Sequence, residues 1–254
     1  MSAAKSSYPR IAARLAGLAG LLVGCVVLHG GWRLLRPSSP WPRRFLAGAA
    51  WTCGVRTRVR GHRPSGSALI VSNHCGTLDI LVLGGATGAA FVAKGELARV
   101  PIVGAMCRAN GTLFVDRTDR RAIHEQVARL REALAHGPVV VFPEGTTSDG
   151  ATLLPFKPAL LAALDPPPPG VVLQPVFLDY GSAAPEIAWA EAAGENGLTN
   201  ALRILGRRGT IPVVIDYLEP FDPAKVGDRK AVAAEARRRI TAAMAAAGSR
   251  IRVA

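Results

Sequence analysis

From residue 68 onward the chain alternates short β-rich apolar runs with glycine-containing or helix-patterned segments. The runs are "ALIVS" (68–72), "GAAFVA" (88–93), "GTLFVD" (111–116), "PVVVFP" (138–143), "VVLQPVFLDY" (171–180) and "IPVVIDYL" (211–218). "WTCGVRTRVRG" before them has the alternation of a further strand. Between the third and fourth runs, "DRRAIHEQVARLREALAHG" repeats Ile123, Val127, Leu130 and Leu134 at helical spacing and stops at Gly137. This strand, helix, strand order predicts an α/β sandwich, a mixed sheet flanked by helices. The alanine-rich tail "DRKAVAAEARRRITAAMAAAG" predicts a helix packed through Val232, Ala236, Ile240 and Ala243, and "DPPPPG" (165–170) a stiff connector.

The first fifty residues break this rhythm. "LAGLAGLLVGCVVLHGGW", between Arg14 and Arg33, runs eighteen residues without Asp, Glu, Lys or Arg but holds five glycines, close to the ~20 residues a spanning helix needs. The segment fits a short or tilted anchor and equally a hairpin lying in one leaflet, with Trp32 and Trp41 at the interface. A secretory signal is disfavoured because apolar sequence continues past Cys25. The chain accordingly divides into a membrane-anchoring leader, 1–50, and one domain, 51–254, which suits a total of 254 residues.

Charge sharpens the leader's meaning. Residues 1–78 hold eleven Lys or Arg and no acid, so much of the net charge of +13 is N-terminal. Basic residues beside apolar ones suit anionic lipid headgroups, at about 1 kcal/mol each. Nucleic acid is not an expected partner, since no known module and no basic stretch interleaved with aromatics is present. Cys25, Cys53, Cys75 and Cys107 form no C-x-x-C or paired spacing; neither a metal site nor a disulfide framework is expected, as suits a reducing compartment.

"NHCGTLD" follows the "ALIVS" strand and precedes a helix that starts near Thr77. On one continuous helix His74 and Asp79 would stand about 140° apart. With the histidine in the turn and the aspartate in the first helical turn, a carboxylate to Nδ1 hydrogen bond comes within reach, which is the arrangement of a general base. The same residues could merely cap the turn and the helix. Other strand ends tip the balance: "FVAK" ends in Lys94, "LFVDR" in Asp116 and Arg117, and "FPEGTTSDG" carries Glu144 and glycine at a strand exit, where α/β sheets hold ligands.

These motifs resemble the glycerolipid acyltransferase family of bacterial 1-acylglycerol-3-phosphate acyltransferases. Asn-His-x4-Asp matches Asn73, His74 and Asp79; the strand ending in Asp-Arg matches "GTLFVDR" with Phe114 and Arg117. Phe-Pro-Glu-Gly-Thr matches residues 142–146, and an apolar strand carrying proline matches "VVLQPVFL" with Pro175. The resemblance implies acyl transfer from acyl-CoA or acyl carrier protein to a lysolipid hydroxyl, with no metal or other cofactor, at the cytoplasmic face of the inner membrane. It implies His74 as base, Asp79 as its orienting carboxylate, Arg117 on the acceptor's phosphate, and Glu144 and Gly145 on the glycerol. Asn73, Phe114, Thr146, Thr147 and Pro175 complete the expected substrate site, and Lys94 and Lys157 are candidates for headgroup or carrier phosphates.

One position departs from the family pattern. The third motif commonly continues Glu-Gly-Thr-Arg-Ser, whereas here Thr147 gives "EGTTSDG", as in the branch that acylates lyso-ornithine lipid. Lysophosphatidic acid is the first expectation for the acceptor and lyso-ornithine lipid the alternative. Cys75 beside His74 could serve as a thiol nucleophile, although neighbours in an extended turn point to opposite sides. A thioesterase using the same pair on water, and a non-catalytic lipid-binding protein, are the remaining readings.

Overall fold

The computed structural model describes residues 8–115, 123–189, 194–248 and 252–253. It opens with helices α1 (Tyr8–Leu35) and α2 (Trp41–Thr52) and strands β1 (Val55–Arg60) and β2 (Ala68–Ser72). Then come α3 (Thr77–Thr87), β3 (Ala90–Lys94), α4 (Pro101–Ala109), β4 (Leu113–Val115), α5 (Ile123–His136) and β5 (Val139–Val141). The second half adds β6 (Thr152–Leu153), β7 (Val172–Asp179), α6 (Ala184–Ile187), α7 (Gly197–Gly206), β8 (Ile211–Tyr217), α8 (Arg229–Ala246) and β9 (Arg252–Val253). Seven strands form one sheet in the order β1-β8-β7-β2-β5-β3-β4, with β6 and β9 paired apart from it.

Strands β2, β3, β4, β5 and β7 run parallel; β8 is antiparallel to β7 and carries β1 parallel to itself. Every residue of β2 and β5 is buried, as parallel strands covered on both faces require. Alternate residues feed opposite cores: Leu69 and Val71 pack with Leu134 and Ile240 on the side of α5 and α8, whereas Ile70 packs with Leu83 and Phe142 on the side of α3. The expected sandwich is therefore present, with Val232, Ala236, Ile240 and also Met244 buried along α8. In β1 only Val55 is buried, and exposed Arg56, Arg58 and Arg60 guard the sheet edge against pairing with another chain.

Pro175, expected at the substrate, lies instead inside β7, paired with Val71 of β2. It cannot donate to the ladder, and pairing with β8 resumes only at Val176 and Tyr217. The Gln174 side-chain amide donates to the Leu218 carbonyl beside this interruption. Pro175 thus shapes the sheet rather than a ligand surface.

The leader forms an antiparallel hairpin, with Gly17 of α1 against Thr52 of α2 and Leu21 against Gly48. Arg14 at the start of α1 donates to the carbonyls of Ile204, Leu205 and Arg207 at the end of α7, 3.0–3.2 Å away, where a helix C-terminus favours a cation. The open end of the hairpin therefore rests on the domain. Length and composition would let α1 cross a bilayer: its most apolar 18-residue window has a mean hydropathy of 2.2 and is 11% buried. The 50/51 boundary falls within α2, where Ala49 and Ala50 are already buried.

Small residues bring α2 onto α3. A Cβ at Gly85 would meet the backbone N and Cα of Ala47 at 2.7 Å. Backbone cannot yield as a side-chain tip can, so Gly85→Ala should lose about 1–3 kcal/mol despite alanine's better helix propensity. Gly66→Ala, with nothing within 4 Å, should leave the thermal midpoint unchanged; denaturation scans of both variants test this.

Candidate active site

Strand β2 leaves the sheet at Ser72, and the chain turns before α3 starts at Thr77. Val71 pairs with both Val141 and Pro175, so three residues further on His74, Glu144 and Leu178 stand level at the carboxyl edge of the sheet. Asn73 prolongs the ladder through its side chain, with Oδ1 accepting from Leu178 N at 2.8 Å and Nδ2 donating to Leu178 O at 3.1 Å. Its amide is committed to β7.

His74 Nδ1 lies 2.8 Å from Asp79 Oδ2. Its ring stacks on Phe142, centroids 3.9 Å apart and planes within 13°. Asp79 has no solvent exposure. Its Oδ2 also accepts from the amides of Cys75 and Gly76 at 2.7 and 2.9 Å, and Oδ1 accepts from the Tyr180 hydroxyl at 2.8 Å. With Nδ1–H donating to this carboxylate, Nε2 keeps its lone pair and can accept a proton. Burial, and then the charge of Asp79, push the Tyr180 phenol well above its ordinary range, so it stays a donor. The Cys75 thiol is buried 3.5 Å from Asp79 Oδ1, and burial with the Asp79 charge pushes it well above the usual thiol range. That environment opposes the thiolate a nucleophile needs.

Glu144, expected on the acceptor's glycerol, is turned inward and 1% exposed. Oε1 accepts from His74 N at 2.7 Å and Oε2 from Leu154 N at 2.8 Å. The carboxylate ties the third motif to the backbone of the first. Burial pushes it up to about 8 and the Asp79 charge adds to this, against the two amides and Arg237.

A cleft of about 660 Å³ leads away from His74 between the hairpin and α4. Leu22, Cys25 and Phe45 wall one side and Val103, Met106 and Cys107 the other. Of the expected site residues, Lys94, Gly145, Thr146 and Thr147 line this cleft beside His74. Gly145, at φ 72°, donates its amide to Phe142 O at 3.1 Å, and a side chain there would meet Lys157 Nζ at 2.8 Å. This puts Lys157 beside the third-motif turn. Thr147 Oγ1 donates to Trp189 O, whose own amide donates to Cys75 O at 2.7 Å. Phe114 lies in β4 opposite Ala93, outside the lining. Asp116 and Arg117 lie outside the described residues. Sequence reasoning overlooked Tyr180, although its place at the end of a strand parallel to β2 was a usable signal; nothing local marked Trp189.

The Acyltransferase family model matches residues 56–179. The chain is 35% identical over 217 residues to the lyso-ornithine lipid O-acyltransferase of Rhizobium meliloti, covering 79% of this chain and 73% of that protein. The chain belongs to the acyltransferase family. It is also 31% identical over 177 residues to the 1-acyl-sn-glycerol-3-phosphate acyltransferase of Neisseria gonorrhoeae, covering 69% of this chain and 68% of that one. The crystal structure of the lysophosphatidic acid acyltransferase PlsC from Thermotoga maritima shares the fold, with a TM-score of 0.65 and 22% identity over 95% of this chain and 98% of that one.

Two outcomes are expected of this acyltransferase. Tyr180→Phe removes one donor from a buried carboxylate, an interaction of about 1.5–3 kcal/mol; it should lower kcat about tenfold with little change in KM, measured by steady-state kinetics. Glu144 carries a raised pKa in the folded chain, so its contribution to stability is complete below 4.5 and is lost as pH rises to about 8. Glu144→Gln should flatten that decline, read as the slope of Tm against pH.

Proposed function

We propose that the protein transfers a fatty acyl group from acyl-CoA or acyl carrier protein to the free hydroxyl of lyso-ornithine lipid at the cytoplasmic face of the membrane. The observation that carries the reading is the His74–Asp79 pair, 2.8 Å apart, opening onto an apolar cleft bordered by the hairpin. Nε2 of His74 takes the hydroxyl proton, and the oxygen attacks the thioester carbonyl carbon. The tetrahedral intermediate collapses as the imidazolium returns its proton to the departing thiolate. Asp79 stabilises the imidazolium throughout. Withdrawing a 16-carbon chain into water would cost on the order of 10 kcal/mol at about 0.8 kcal/mol per methylene, which favours a site reached directly from the bilayer.

The acceptor rests on Thr147, which supplies no cation where the phosphate-acylating pattern has arginine, and on the greater extent of the match to a lyso-ornithine lipid O-acyltransferase. Lysophosphatidic acid is the second reading, favoured by the Asp-Arg second motif and by the Neisseria relative. Labelled acyl donor supplied with each lysolipid in parallel should yield product chiefly from lyso-ornithine lipid; product from lysophosphatidic acid alone would reverse the order. His74→Ala should reduce the rate by about 10²–10⁴, and an unchanged rate would remove His74 as the base.

A further inference from the structure

The cleft has two lips, and both are greasy. On the hairpin side Val26 is 59% exposed although it lines the cleft, and across from it Val103 of α4 is 40% exposed and also lines it. Residues that both border a cavity and face outward mark its mouth, so the cleft opens between α1 and α4. Each lip continues outward as apolar surface: Val23 and Val27 on α1, at 65% and 67% exposure, and Val100 and Ile102 at the start of α4, at 43% and 63%. A 3-10 turn precedes α4, and Gly104 packs it so closely on that turn that a Cβ would lie 2.4 Å from Ala98 O. The close contact holds α4 in place and leaves Ile102 and Val103 facing out.

Basic residues frame this second patch, since Arg99 precedes α4 and Arg108 lies in its last turn, both exposed. Apolar side chains between arginines on a short helix match a bilayer interface, where the chains enter the acyl region and the guanidinium groups reach back to anionic headgroups. A water-facing α4 would leave a lipid chain exposed on one side as it passed from bilayer to cleft.

We propose that α4 is a second membrane-inserting element, embedded opposite the hairpin, so that the cleft mouth lies inside the lipid and acyl chains enter sideways. The inference rests on the reading of the protein as a membrane-surface acyltransferase. Ile102 borders the patch without lining the cleft, which makes it the position to alter. With vesicles of phosphatidylcholine and phosphatidylglycerol holding the lysolipid, Ile102→Glu should lose activity about tenfold. With a hexanoyl thioester and a lysolipid short enough to stay dissolved, it should match the unaltered protein within about twofold. Equal losses in both assays would overturn the proposal. Hydrogen exchange on the unaltered protein gives an independent reading: residues 99–109 should slow together with 15–45 when vesicles are added, and slowing of 15–45 alone would also overturn it. If the unaltered protein acylates no lysolipid while 99–109 are still protected, the proposed function fails and the membrane role of α4 stands.

Discussion

A carboxylate with no exposure to water has to be met by donors from the protein, and Asp79 imposes that condition on everything around it. It accepts from the His74 imidazole and the Tyr180 hydroxyl, and from two backbone amides of the turn that begins α3. A helix N-terminus already favours a negative charge. The turn after β2 therefore has to curl over the first turn of α3, and β7 has to lie beside β2 with its last residues level with the turn. Those constraints orient the imidazole, leaving Nε2 as the proton acceptor.

A second buried carboxylate braces the first. Glu144 holds the amides of His74 and Leu154, and Asn73 fastens the other side of the turn to Leu178. Phe142 closes one ring face of His74. Three of the four sequence motifs thus meet at one histidine, and much of what they hold in common is the position of that ring.

Around this rigid centre the surroundings are apolar. The hairpin is pinned at its base by Arg14 and pressed on α3 through glycines, so the cleft it forms with α4 has a defined wall beside the turn that carries His74. Thr147 contributes a hydroxyl to Trp189 O, and the segment it fastens also holds Cys75 O. At this position the side chain serves as a backbone clasp.

Periodicity was sufficient to predict the seven strands of the main sheet, most of the packing stripe of α8 and the sandwich, because burial on both faces of a parallel sheet demands continuous apolar runs. The motifs likewise marked His74 and Asp79, since a polar pair between apolar segments is legible wherever it occurs. Roles that depend on direction were not legible. Glu144, Asn73 and Pro175 read as ligand contacts, yet strand register turns the first two onto backbone groups and buries the third in the sheet. Tyr180 lies 101 residues from Asp79 in the chain and meets it only because β7 is paired with β2. The amino-acid order by itself determined which segments are buried and which groups can do chemistry. Only the tertiary structure decided which of those groups face the cleft and which hold the others in place, because that depends on pairings between strands far apart in the chain.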